Sequence, residues 1–514
     1  SGDVTSTGGA TPAVFSYADT GGAGFVVDTV DFVQGLYGQG VRADAVAGSR
    51  VTLSTVGLAT QAAGSDVRAD QLQLLGSGSY ALNNVGNDVA TVAAATTGGV
   101  SYTDANGLTI GTVNATPGIG TSNAAIAINT VDGPLTVTDT ARPFDVDAGN
   151  AAVTLTAGDP NGTDPDLTIN AGAAVRGNAG VTLVGDNIVI DTSGTPATVT
   201  AGAGTATLRP FANGTVIDLG GADTANTLGL TPAELDRVTA GVIVVGSATA
   251  GDIGVSAPIA PTGTSQLELV TGGAAVDNNT TNPDITVARL GITAGTGVGV
   301  AGAESAPLDI SVNNVEATTG TVGVFLNNNK ALTVGGVNGT LQGVTAAAGP
   351  IQITAADGGG VTANLTVTEA VSATGGGNIQ LTIVDPNSAT TLLVSAPVAA
   401  TGGNGSVALQ AGHDLTVNAP VSAVGSGTVT ATANFDGIGG GDFASTAAVG
   451  TAAGAVSVSG NNVTIGGPVS ATGGGAITAT ATAGHLTNTA AVTASGGNGN
   501  VLLQSVGNVN VQGA

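Results

Sequence analysis

The sequence predicts an all-β fold, a parallel β-helix in which three short strands per coil stack into three sheets around a narrow core. Three observations carry this expectation. A unit of turn, strand, Pro-marked corner and further strand recurs in coils of about 20–28 residues. Apolar and polar residues alternate within it at period two, the period of a strand. The 514 residues are 42% hydrophobic but only 2% aromatic, with 85 Gly and no Cys, Met or Trp. Such a chain fills its core with small and β-branched side chains, which suit strands.

The repeat is read by alignment. Gly251–Ile259 is GDIGVSAPI, His413–Val421 is HDLTVNAPV, and Asn461–Val469 is NNVTIGGPV. GHLTNTAAV (484–492) and a truncated GNVNV (507–511) follow the same order. The corner leads into PVAATGGNGSVALQAG (397–412), PVSAVGSGTVTATA (420–433) and PVSATGGGAITATA (468–481). Equivalent valines are 27 residues apart from Val371 to Val398, and 23 apart from Val398 to Val421 and from Val469 to Val492. Alternation turns Leu415, Val417, Val421, Ala423, Val407 and Leu409 inward, with Ser, Thr, Asn and Gln between them outward. Strands this short form no stable sheet alone, so each must stack on its equivalent in the next coil. About twenty coils at the inter-strand spacing give a rod on the order of 100 Å. An antiparallel sandwich array would need longer strands and linkers between domains of roughly 100 residues, and no composition shift marks one.

Two regions depart from the repeat. Residues 1–50 hold five of the twelve aromatic residues and form an atypical N-terminal segment, a cap or the continuation of a longer chain. Residues 51–514 read as one continuous repeat region. Within it TPAELDRV (231–238) carries a helix-start signature, Thr231 as N-cap, Pro232 next and Glu234 three residues after the cap, which predicts a short helical turn protruding from a coil.

Charge narrows the partners. Nine basic residues stand against 35 acidic ones, a net of −26, and nothing after Lys330 is basic. No track of cations is available for phosphates, so nucleic acid is not expected as a partner. No apolar run reaches the roughly 18 residues that span a bilayer. The opening SGDVTSTGG lacks Met and reads as a processed product or a piece of a longer chain.

The stretches 83–114 and 227–259, with the terminal PVSATGGG-type coils, resemble the repeats of filamentous haemagglutinin-like and autotransporter-passenger-like bacterial exoproteins. The resemblance covers most of the chain. It implies a right-handed parallel β-helix, secretion across the outer membrane, and a role in adhesion, biofilm or surface structure. Neither the secretion module of two-partner exoproteins nor a C-terminal translocator barrel is recognisable.

Candidate chemistry is sparse. His413–Asp414 has the look of a dyad, but the same slots hold Gly, Asn or Asp in sibling coils, which is the usage of a turn. Arg142 with Asp145 and Asp147, in ARPFDVDAG, is the closest cluster for a polysaccharide-processing enzyme, and the sequence offers it no matching cluster one coil away. Calcium is the one cofactor the composition points to. GDPNGTDPD places Asp159, Asn161, Asp164 and Asp166 within eight residues, dense in hard oxygen ligands but without EF-hand spacing. DNNTTNPD (277–284) and FDGIGGGDF (435–443) are weaker versions of the same pattern.

The expected function is therefore non-enzymatic: an extracellular structural or adhesive rod at a bacterial surface, displaying loops to surface glycans or cell-surface proteins. It would stack end to end or continue into a longer chain. The alternatives are a β-helical polysaccharide-processing enzyme and a calcium-dependent surface-layer or biofilm matrix protein.

Overall fold

The structure, a computed structural model, describes residues 14–512 apart from 28, 33–35, 44–46, 163–165, 300–306, 357–362 and 385–389. It is an all-β parallel solenoid of about 18 turns. The chain forms two compact units, residues 1–250 with 261–265, and residues 251–260 with 266–514.

In the first unit Val14–Asp19 pairs in parallel with Arg50–Thr55, which pairs with Val67–Gly76, which pairs with Asp88–Thr96. A second column climbs from Phe25–Val27 through Leu58–Gln61, Ser79–Leu82, Val100–Asp104 and Ile126–Thr130. It continues through Ala152–Thr156, Gly180–Val184 and Thr205–Arg209 to Val242–Ser247. The described strands of the aromatic-rich N-terminal segment thus lie in the stack, apart from an antiparallel hairpin of Thr29–Phe32 with Leu36–Gln39. These early coils enclose Tyr80 and Tyr102 completely. Burying a phenol requires a partner for its hydroxyl. The Tyr80 hydroxyl lies 2.7 Å from both the Leu53 and Leu75 carbonyls, which share its one proton, and Tyr102 donates to Asp104 Oδ2 at 2.8 Å.

Thr231 caps a one-turn helix, Pro232–Leu235, with both halves of a capping box formed. Glu234 and Leu235 are buried, so this turn packs inward rather than standing out from its coil.

The second unit is the regular one, and its three columns follow the repeat. The first runs Leu332–Val334, Leu365–Val367, Thr391–Val394, Asp414–Val417, Phe443–Ser445, Val463–Ile465, Leu486–Asn488 and Val509–Val511. The Pro-marked strands form the second, with Val371 opposite Val398, Val398 opposite Val421 and Val469 opposite Val492. The third runs from Ile351–Ala356 to Val501–Ser505. Leu415, Val417, Val421, Ala423, Val407 and Leu409 are all buried.

Each unit also divides a long strand into two columns around an insertion. Asp88–Thr96 pairs through its first half with Leu108–Ile110 and through its second with Ile119–Gly120; a small hairpin, Thr112–Val113 with Thr116–Pro117, fills the gap. Asn314–Thr319 pairs likewise with Leu332–Val334 and with Val344–Ala346, on either side of the loop 335–343.

A column of glycines explains part of the repeat's composition. A Cβ on Gly377 would collide with the carbonyl oxygen of Gly349, and the same holds for Gly405 on Gly377, Gly427 on Gly405, Gly454 on Gly427, Gly475 on Gly454 and Gly499 on Gly475. Successive coils approach so closely at this corner that no side chain fits.

Candidate functional site

The residues with chemical potential are best judged by what their atoms touch. At the corner that opens the first column of the second unit, one side chain per coil accepts the backbone N–H of the next coil. Asp414 Oδ1 accepts from Asp442 N at 2.9 Å, Asp442 Oδ1 from Asn462 N at 3.0 Å, and Asn462 Oδ1 from His485 N at 2.9 Å. His485 Nδ1 accepts from Asn508 N at 3.0 Å. Asp, Asn and unprotonated His share this slot because each offers an acceptor at the same reach. His413 Nδ1 lies 3.0 Å from Asp414 Oδ1 but not in hydrogen-bond geometry, and the Asp414 oxygen already serves the ladder. The dyad is a corner.

The structure parts the second cluster. Asp145 is fully buried and accepts from Thr140 N, the Thr140 hydroxyl and Ala174 N at 2.6–2.8 Å. Asp147 is paired through both oxygens with Arg176, at 2.9 and 2.7 Å, and the Arg176 guanidinium lies 4.1 Å over the Phe144 ring. Arg176 is 29 residues away, so the irregular period hides this pairing from the sequence. Arg142 pairs with neither carboxylate and donates Nη1–H to the Pro117 carbonyl at 2.8 Å.

Of the calcium candidates in GDPNGTDPD, Asp159 is buried and Asn161 donates to Asp132. Asp166 opens a strand and accepts from Asn187 at 3.2 Å. Asp164 lies outside the described residues. Among the described residues, the three carboxylates close enough to share one cation are instead Asp277, Asp284 and Asp309, whose ligand oxygens all lie within 4.8 Å of one another. Two of them bound the weaker sequence candidate, DNNTTNPD. Asp284 is fully buried and accepts from Asp309 N at 3.0 Å and Asn279 Nδ2 at 2.8 Å. Burial pushes Asp284 up to about 6. It also raises Asp309, with the Asp277 charge adding to the effect. Three hard-oxygen ligands beside the Asn279 amide suit calcium chemistry. Asp309 was missed because it stands one coil beyond Asp284; reading down the repeat instead of along it would have found it.

A further carboxyl, Asp223, lines an open cavity of about 460 Å³ with Asp191, Thr192, Thr231 and Glu234. Burial pushes it up to about 7, with the Glu234 charge contributing. Glu234 is held by Ile190 N, Thr231 N and the Thr231 hydroxyl, which is the work of a helix cap.

No helix among the described residues is long and apolar enough to cross a membrane. Comparison with protein-family models, curated proteins and solved structures returned no match to this chain. A parallel β-solenoid fold alone does not carry function.

Proposed function

We propose that this protein is a non-enzymatic, extracellular structural solenoid of a bacterial surface or secreted fibre, which holds loops out for contact with other cells, surfaces or matrix. One observation carries the reading. Of the side chains that the sequence offers for catalysis, Asp414, Asp145 and Asp147 are engaged in holding coils and turns together, and His413 Nδ1 is not in hydrogen-bond geometry with Asp414. An acidic surface with a single Lys keeps such a body soluble and apart from like-charged neighbours. The resemblance to haemagglutinin-like repeats supports the same reading.

The test is fractionation of the producing cells, with protease shaving of intact cells, and an adhesion assay on beads coated with purified protein. Surface exposure and bead retention are expected. Recovery of the chain only from the cytosol, or turnover of a panel of acidic glycans, would overturn the reading.

A calcium-dependent variant is favoured by Asp277, Asp284 and Asp309 alone. It predicts a higher melting temperature in calcium than in chelator, abolished by Asp284→Ala. Identical melting curves would remove it.

A further inference from the structure

Although the chain has 35 acidic residues, Arg142 has no carboxylate partner among the described residues. Two other arginines are held in ion pairs, Arg68 with Asp66 and Arg176 with Asp147. A guanidinium carries five N–H donors, and Arg142 spends one, on the Pro117 carbonyl. The group is held in place. A Cβ on Gly120 would lie 2.7 Å from Nη2, so the guanidinium rests against bare backbone. Its turn is fixed by Asp145, which binds Thr140, and by Asp139, which accepts from Ala141 N at 2.8 Å.

Arg142 forms one wall of an open cavity of about 320 Å³, and Thr96, Thr97, Thr121 and Ser122 supply hydroxyls to the others. The hydroxyls divide by role. Those of Thr96 and Thr121 donate to the Gly98 and Ala124 carbonyls, and Thr121 Oγ1 also accepts from Ala124 N at 3.4 Å, so each oxygen keeps a lone pair as an acceptor. Those of Thr97 and Ser122 make no hydrogen bond to a described residue. The cavity thus presents one fixed cation, two free hydroxyls and two committed acceptors, within the size range of small-ligand sites.

We infer that this cavity binds one acidic monosaccharide unit, its carboxylate on Arg142 and its hydroxyls on the Thr and Ser walls. A guanidinium matches a carboxylate through paired, charge-assisted hydrogen bonds. A neutral sugar leaves those donors unanswered, and a bare carboxylate leaves the hydroxyl walls unanswered. The inference goes beyond the structural role proposed above and holds wherever the protein resides.

Titration calorimetry with D-glucuronate tests it, with glucose and acetate as controls and a glucuronate-terminated disaccharide as a fourth ligand. Glucuronate is expected to bind more tightly than either control. Losing the charged hydrogen bonds in Arg142→Gln should weaken it by at least about tenfold, with the melting curve unchanged. Retention of affinity by the disaccharide identifies the end of a glycan as the source; loss of it identifies the free acid sugar, and both support the site. If Arg142→Gln fails to fold, Gly120→Ala decides, because it keeps the charge but displaces the guanidinium and should weaken binding similarly. No glucuronate binding to the native protein, equal binding by the folded variants, or acetate binding as tightly as glucuronate would overturn the inference.

Discussion

His485 accepts the backbone N–H of Asn508 through Nδ1 at 3.0 Å, one coil away. The bond occupies a slot in which Asp414, Asp442 and Asn462 do the same through oxygen. The imidazole is therefore interchangeable with an amide. His485→Asn should leave the exchange protection of the Asn508 amide near the native level, whereas His485→Ala should lose it. The stability change at this exposed corner should stay under about 1 kcal/mol. Hydrogen exchange read by mass spectrometry checks both; equal protection in the two variants would show that the ladder contributes nothing.

Asp145 is the strictest structural carboxylate near the ARPFDVDAG motif. Asp145→Ala strands two backbone N–H groups and a hydroxyl in the interior, and should cost roughly 3 kcal/mol. Asp145→Asn keeps one acceptor oxygen and should cost less. Urea unfolding measures the difference, and a near-neutral Asp145→Ala would contradict the assignment.

Much of the fold was legible in the sequence, because alternation and the Pro-marked corner report on each strand locally. The inward faces of Leu415, Val417 and Val421 follow from period two alone. The sites were less legible, for a physical reason. In a solenoid the decisive contacts run between coils, as from Asp147 to Arg176 or from Asp284 to Asp309, and the coil length varies. Local spacing cannot see them. The division of Asn314–Thr319 into two columns was hidden too, since it depends on where the loop 335–343 is accommodated.

The pH dependence of stability has a definite sign. Asp223 is pushed up to about 7, and Asp104 and Asp284 to about 6, with burial the leading cause in each. Ordinary aspartates titrate near about 3.9. The folded chain therefore binds these protons more tightly than the unfolded one, and the stabilisation is lost as pH rises through about 6–7. The melting temperature should be higher at about pH 5.5 than at about pH 8 at constant ionic strength. Asp223→Asn should flatten the slope; a melting temperature that climbs with pH would refute the assignment.

Phe443 is fully buried in the first column of the second unit, opposite Leu415 on one side and Val463 on the other. Phe443→Ala should cost about 3–5 kcal/mol through lost burial and the cavity left behind. Phe443→Leu should recover most of it, as thermal or urea unfolding will show.

At the glycine column, Gly454→Ala places a methyl against the Gly427 carbonyl. The coils must part locally, at about 1–3 kcal/mol. An unchanged melting temperature would mean that the corner yields more easily than its packing suggests.

That column bears on how such a gene can change. Two fixed points per coil, the polar ladder and the glycine contact, set how each coil seats on the one below, while the chain between them varies in length. Recombination between equivalent positions of two coils would then add or delete a whole storey and still present matching surfaces above and below. The number of coils is thus adjustable one at a time without redesign of the core, whereas a deletion that removed a ladder residue or a corner glycine would unseat the coil above it.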